Sequence, residues 1–321
     1  MKLNAIYEAI GEDLVKVDDM MNSVSKVDAV WLAEMLDHSI KGGGKRIRPA
    51  LNLLAGKLYH YNLVALLPMA TSIELMHTAT LVHDDAIDKS PTRRGRPTIT
   101  KLWGLEQAVL LGDYLFAKAG DSVADTQSIR AIKLFCQTLM IFSRGELDQA
   151  RNAFNLNQAH EQYIRRIFAK TASLFSLSTE SGGILSQAPE SSIQHLKDYG
   201  CNLGIAFQIV DDILDFTATE EELGKPAGSD LAQGTLTLPA MLLNERYPQD
   251  NPVKRLFQKR EEQENVKLAM EQVRHSTIVD ECYKAAKDYC IRACNNLSAL
   301  PDSTIRRTLK ELADYVVTRR K

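Results

Sequence analysis

Apolar residues recur along this chain at three- and four-residue intervals. Leu66, Met69, Ala70, Ile73, Met76 and Leu81 form one series, and Leu203, Phe207, Val210 and Leu214 form another. That spacing lines up side chains on one face of an α-helix. Strand signals are weak, and no Asn-Gly or Asp-Gly pair separates two alternating runs. Ten prolines and seventeen glycines fall mostly between the helical runs, at 42–44, 95–97, 182–183 and 224–228, where they mark turns. The pattern predicts an all-α protein of about a dozen helices. No Pro/Ser-rich linker and no fixed-period repeat divides it, so a single all-helical domain over residues 1–321 is expected. The most polar stretch, Asn244 to Asn265, reads as a surface loop followed by a charged helix.

The chain's 321 residues are 45% hydrophobic, enough to bury a large core. The formal charge is −2 and the pI about 6.4, without the basic excess of a nucleic-acid binder. Cys136, Cys201, Cys282, Cys290 and Cys294 form no CxxC pair. They read as reduced thiols of a cytoplasmic protein. The first residues carry no apolar signal core. The longest apolar region, Leu63 to Val82, is interrupted by Pro68, Glu74 and His77, and is too short and too polar for a membrane span. The expectation is a soluble protein that can still act on lipids.

Charge placement sharpens the picture. The stretch LVHDDAIDKSPTRRGRPT, Leu81 to Thr98, sets Asp84, Asp85 and Asp88 beside Arg93, Arg94 and Arg96. FQIVDDILD, from Phe207, repeats the acidic spacing as Asp211, Asp212 and Asp215. In each cluster the first and last Asp share a helix face, where like charges repel. One such cluster could be a solvated surface. Two, each closing a strongly apolar run, point to cations bound between carboxylate clusters that face each other across a helical cavity. Mg²⁺, held by a few carboxylates together with water and substrate phosphates, fits such ligands. Without nearby Cys or an HExxH pattern, zinc does not.

The bases fit the same chemistry. GGGKRIRP places Lys45, Arg46 and Arg48 behind three glycines, a flexible backbone beside fixed cations that suits phosphate. Lys170 in AKTASLF and Lys225 in GKPAGSD stand among small residues. Cations, acidic clusters and apolar helices together imply a substrate with a polyanionic head and a greasy body, a prenyl diphosphate.

At these residues the chain resembles the trans-isoprenyl diphosphate synthases. GGGKRIRP, HTATLVHDDAID, RRGRPT, RGELDQ, KTASLF, FQIVDDILD and GKPAGSDLAQGTLTLP occur in that family's order between Lys41 and Pro239. The resemblance implies an isoprenoid-synthase-type bundle around a central cavity. It implies that Asp84, Asp85, Asp88, Asp211 and Asp212, with Asp215 nearby, bind about three Mg²⁺ ions on an allylic diphosphate. Arg93, Lys170 and Lys225 would also hold that diphosphate. Lys45, Arg48, His77 and Arg94 would bind isopentenyl diphosphate, with Gln208 at the allylic site and Thr171 near the reacting carbon. A homodimer is expected, with apolar helix faces of the first hundred residues in contact. One position departs from the family: QGTLTLP has Thr235 where its members commonly carry Lys.

IEL-MHTATLVHDD looks more like the medium- and long-chain polyprenyl synthases than like farnesyl synthases. Four and five residues before Asp84 stand Thr80 and Ala79, with Met76 one turn further back. No aromatic blocks a growing chain there, and Met can bend aside. Phe142, Leu139 and Phe135 form a second apolar stripe leading from Glu146, and Phe135 or Leu139 is expected at the cavity floor. The favoured product is hexaprenyl to octaprenyl diphosphate. Alternatives are a short-chain geranylgeranyl or farnesyl diphosphate synthase, the catalytic subunit of a heteromeric synthase, and a terpene cyclase. The cyclase is disfavoured by two DDxxD elements, and a subunit that has lost its chemistry by the six retained aspartates.

Overall fold

The computed structural model describes residues 3–223 and 226–319. Among them, fifteen helices of five residues or more follow in sequence. They are α1 (Gly11–Ser23), α2 (Val30–Ile40), α3 (Ile47–Lys57), α4 (Leu63–Ile87), α5 (Ile99–Trp103), α6 (Leu105–Ala124), α7 (Ile129–Arg151) and α8 (His160–Ile167). After these come α9 (Ser173–Leu185), α10 (Glu190–Thr217), α11 (Leu238–Arg246), α12 (Pro252–Gln258), α13 (Glu264–Arg274), α14 (Ile278–Leu297) and α15 (Thr304–Thr318). A π-helical turn, Phe168–Ala172, links α8 to α9. The strands described are β1 (Thr92–Arg93) and β2 (Arg96–Pro97), an antiparallel pair. The all-α expectation is borne out.

The chain groups into two compact units. The first comprises Met1–Leu139, Leu174–Gly200 and Cys294–Leu312. Helix α4 forms its core. Leu66, Met69, Ala70, Ile73, Leu75, Met76 and Ala79 are all fully buried, as befits a helix that is apolar around its whole circumference. By length and composition α4 could cross a membrane, but 78% of its most apolar window is buried inside the protein. Helix α6 lies along it. Ser72 Oγ donates to the Ala119 carbonyl at 2.7 Å, and Ser122 Oγ donates to that of Pro68 at 3.0 Å. Gly112 permits this approach, because a Cβ there would lie 2.0 Å from His83 Nε2.

In the same unit α3 crosses α9 on small residues. Asn52, fully buried, donates to the Ser178 carbonyl at 3.1 Å and to Ser181 Oγ at 2.9 Å. A Cβ on Gly182 would meet the Asn52 carbonyl oxygen at 2.5 Å and Ala55 Cβ at 2.8 Å.

The second unit comprises Met140–Ser173, Cys201–Ala293 and Ala313–Lys321. Tyr163, Ile209, Ile213, Phe216, Leu231, Leu256, Val273 and Cys282 are part of its core. Arg274 closes α10 by donating through Nε to the Phe216 carbonyl at 2.7 Å. A guanidinium there satisfies an orphan carbonyl at the negative end of the helix.

The α3–α9 crossing yields a prediction. Gly182→Ala places its methyl group against backbone and lowers the free energy of unfolding by about 1–3 kcal/mol, read from urea unfolding. A substitution without effect would mean that the two helices are free to separate.

Candidate active site

The first acidic cluster sits in the last turns of α4. Asp85 is buried, Asp84 half-buried and Asp88 exposed. Carboxylates at a helix C-terminus oppose the negative end of the helix dipole, so this placement calls for cations. The chain then reverses. Arg94 and Gly95 have φ of 51° and 73°, the paired left-handed conformation of a tight hairpin turn. Arg94 takes the position that Asn commonly fills, so the hairpin carries no Asn-Gly signal. The reversal returns Arg93 to the helix, where its Nε donates to both Asp85 oxygens at 2.8 and 2.9 Å. Burial raises the Asp85 pKa, Arg93 opposes this, and the charges of Asp84 and Asp88 add to the rise.

The hairpin also sends Arg94 to the glycine loop, where its Nη1 donates to the carbonyl of Gly43. Gly43 needs no side chain, with φ at 71°. A pocket between these segments is lined by His77, Arg93, Arg94, Arg96 and His38. Arg46 also lines it, but is held by Asp18 at 2.7 Å and Glu74 at 2.8 Å. Lys45 and Arg48 are half-buried, and the Arg48 guanidinium lies 5.1 Å from the centre of the Phe175 ring. Burial drives the His77 pKa well below its ordinary value, and Arg48, Arg94, Arg93 and Arg46 add to the effect. His77 is therefore a neutral imidazole among guanidinium groups.

The second cluster sits at the C-terminal end of α10. Asp212 and Asp215 are each 2% exposed, whereas the Asp211 side chain is 40% exposed. Both Asp212 oxygens are occupied: Tyr163 Oη donates to Oδ2 at 2.7 Å and Gln208 Nε2 to Oδ1 at 2.8 Å. Burial pushes Asp212 up to about 7, Asp230 adds to the rise, and the two donors pull against it. Asp215 accepts from Ser229 Oγ and from the Asp230 backbone N–H, each at 3.3 Å. Asp211 accepts from Arg319 at 2.7 Å.

The π-helical turn carries Lys170 and Thr171; such turns are frequent at functional sites. Lys170 Nζ lies 3.1 Å from Glu146 Oε1, and Thr171 Oγ1 donates to Gln208 Oε1 at 2.5 Å. One hydrogen-bonded chain thus runs Thr171, Gln208, Asp212, Tyr163. Lys225 lies outside the described residues. Thr235 is half-buried, and its N–H donates to the Asp230 carbonyl at 2.9 Å.

Of the residues expected to set chain length, Met76, Ala79, Thr80 and Phe135 are buried and Leu139 is half-buried. Ala79 shares a helix face with Ser72 and His83. Both of those bond α6, His83 Nε2 to the Val109 carbonyl at 2.9 Å, so Ala79 packs in the seam between α4 and α6. Sequence reasoning missed Tyr163 and Arg319. Neither belongs to an acidic or glycine-rich motif, and only the fold brings them to Asp212 and Asp211.

Among the described residues no three His, Cys, Asp or Glu side chains form a group that could hold a metal ion. Mg²⁺ does not require such a group, since it takes one or two carboxylates and completes its shell with water and substrate phosphate.

Comparison with known proteins shows what the chain is similar to. The polyprenyl synthetase family profile matches residues 29–273. A heptaprenyl diphosphate synthase component 2 from Geobacillus stearothermophilus is 37% identical, covering 98% of each chain. The crystal structure of a decaprenyl diphosphate synthase from Rhodobacter capsulatus superposes with a TM-score of 0.92 at 37% identity, over 100% of both chains. A polyprenyl synthase from Caulobacter crescentus CB15, crystallised with calcium and isoprenyl diphosphate, gives a TM-score of 0.95 at 33% identity, over 100% of this chain and 98% of its own.

His77 generates a pH prediction. Unfolded, it takes up a proton below about 6.5, while the folded site refuses one until much lower pH. Stability is therefore full above 6.5 and declines as pH falls, by up to about 1.4 kcal/mol per pH unit from this group. His77→Gln should flatten the decline in urea unfolding between pH 6.5 and 5. An unchanged slope would mean that His77 titrates normally.

Proposed function

The chain belongs to the polyprenyl synthetase family and is a prenyltransferase, and from that premise we propose that it condenses isopentenyl diphosphate onto an allylic diphosphate, with Mg²⁺, to give an all-trans hexaprenyl to octaprenyl diphosphate. The observation that carries this reading is the pair of acidic clusters, each at a helix C-terminus and each with inner carboxylates already hydrogen-bonded. The outward carboxylates of Asp84, Asp88 and Asp211 bind the metal ions; Asp85, Asp212 and Asp215 hold the frame.

Bound Mg²⁺ supplies Lewis-acid charge to the departing diphosphate. Arg93, Lys170 and Lys225 add fixed positive charge to that same group. Lys45, Arg48 and Arg94 grip isopentenyl diphosphate, and neutral His77 contributes a hydrogen bond without a further charge. As the allylic C–O bond breaks, the isopentenyl double bond attacks the allylic cation and forms the new C–C bond. The proton then lost goes to the released diphosphate. Thr171, fixed by Gln208, borders the reacting carbon, and apolar walls keep water from the cation.

The chain-length reading rests on the absence of an aromatic residue at Met76 and Thr80 before the first cluster and on the relative named for a heptaprenyl product. A homodimer is supported by exposed apolar side chains on α5 and α6: Leu102, Leu105, Val109, Leu110 and Tyr114. They lie just beyond the first hundred residues. A second reading, the catalytic subunit of a heteromer, is favoured by the relative named as component 2. Free thiols at all five cysteines suit a cytoplasmic enzyme.

The test is product analysis after incubation with Mg²⁺, labelled isopentenyl diphosphate and farnesyl diphosphate. The expected outcome is a ladder ending between hexaprenyl and octaprenyl alcohol after dephosphorylation. Asp84→Ala and Asp211→Ala should each lower turnover by at least about 100-fold. Phe135→Ala with Leu139→Ala should lengthen the product. A stop at geranylgeranyl would overturn the chain-length reading. Inactivity alone, relieved by a partner chain, would favour the heteromer.

A further inference from the structure

A buried arginine stands just past the last helix. Arg319 directly follows α15, yet only 4% of its side chain is exposed. Its partners lie on α10. The guanidinium stacks 3.6 Å from the centre of the Phe207 ring. Its Nη2 donates to the Phe207 carbonyl at 2.8 Å and to Asp211 Oδ1 at 2.7 Å.

Burying a guanidinium is costly unless it is paired. This one leaves its Nε without a partner among the described residues, so its fork is only partly used. What the arrangement fixes is the other partner. Asp211 is the most exposed carboxylate of its cluster and stands beside two aspartates on the last turns of a helix. Repulsion from Asp212 and Asp215 would leave its rotamer free to swing. Arg319 occupies Oδ1 and clamps the carboxyl group to the helix backbone through the Phe207 carbonyl.

We propose that Arg319 is a positioning residue for Asp211, holding Oδ1 so that Oδ2 is presented to Mg²⁺ in one orientation. The inference rests on the reading of Asp211 as a metal ligand given above. Partners that orient a ligating carboxylate commonly contribute about 10–100-fold to metal affinity.

The experiment titrates Mn²⁺, a paramagnetic stand-in for Mg²⁺, into the full-length protein with inorganic diphosphate present, and reads free metal by electron paramagnetic resonance. Wild type is compared with Arg319→Ala, Arg319→Gln, Arg319→Lys and Asp211→Asn. Urea unfolding confirms that each variant folds. We expect Arg319→Ala to weaken the site that Asp211→Asn weakens, by at least about 10-fold, with partial recovery in Arg319→Lys. Should Arg319→Ala fail to fold, Arg319→Gln, which keeps an uncharged NH2 donor, takes its place with the same expected direction. If Asp211→Asn weakens binding but the Arg319 variants bind as tightly as wild type, the positioning role falls and the ligand reading stands. If Asp211→Asn binds normally, the ligand reading falls and the proposal with it.

Discussion

Six carboxylates on the C-terminal turns of two helices are the constraint around which this structure is arranged. Each is opposed by its neighbours and by the negative end of its own helix. An isolated helix would lose stability at both places. The protein answers by giving the inner carboxylates partners. Asp85 receives the Arg93 guanidinium through both oxygens, Asp212 receives Tyr163 and Gln208, and Asp215 receives Ser229 and a backbone N–H. The outward ones are less buried: Asp84 is half-buried, Asp88 exposed, and the Asp211 side chain 40% exposed.

The two clusters solve the problem by different chemistry. At Asp85 the answer is a full positive charge delivered by a tight hairpin. At Asp212 it is a pair of neutral donors in a buried setting, and neutral donors offset burial less completely. Burial and the charge of Asp230 drive Asp212 up to about 7 even with both oxygens bonded and with Arg166 pulling against them. The Asp212 network then extends through Gln208 to Thr171 on the π-helical turn. One buried carboxylate thereby orders the side chains that flank Lys170.

Much of this was legible in the sequence. The spacing of Leu66, Met69, Ile73 and Met76 marked a buried helix, and the repeated aspartate spacing marked the candidate site. The roles within each triplet were not legible, because the i, i+4 rule separates Asp85 from Asp84 and Asp88 but cannot tell which face is buried. The hairpin at Arg94-Gly95 was hidden because the left-handed position there is filled by arginine, not asparagine. Tyr163 and Arg319 were hidden for a topological reason: they lie 49 and 108 residues from their partners, and no local pattern encodes such a meeting.

The central claim is that within each triplet some carboxylates hold the fold and others wait for metal. Urea unfolding of single Asp→Asn variants in metal-free buffer tests it most directly. Asp85→Asn, Asp212→Asn and Asp215→Asn should each lose about 1–3 kcal/mol, since each leaves a buried donor badly matched. Asp84→Asn and Asp88→Asn, at half-buried and exposed positions, should lose less, since relieved repulsion offsets part of the loss. Equal losses at all five positions would contradict the account.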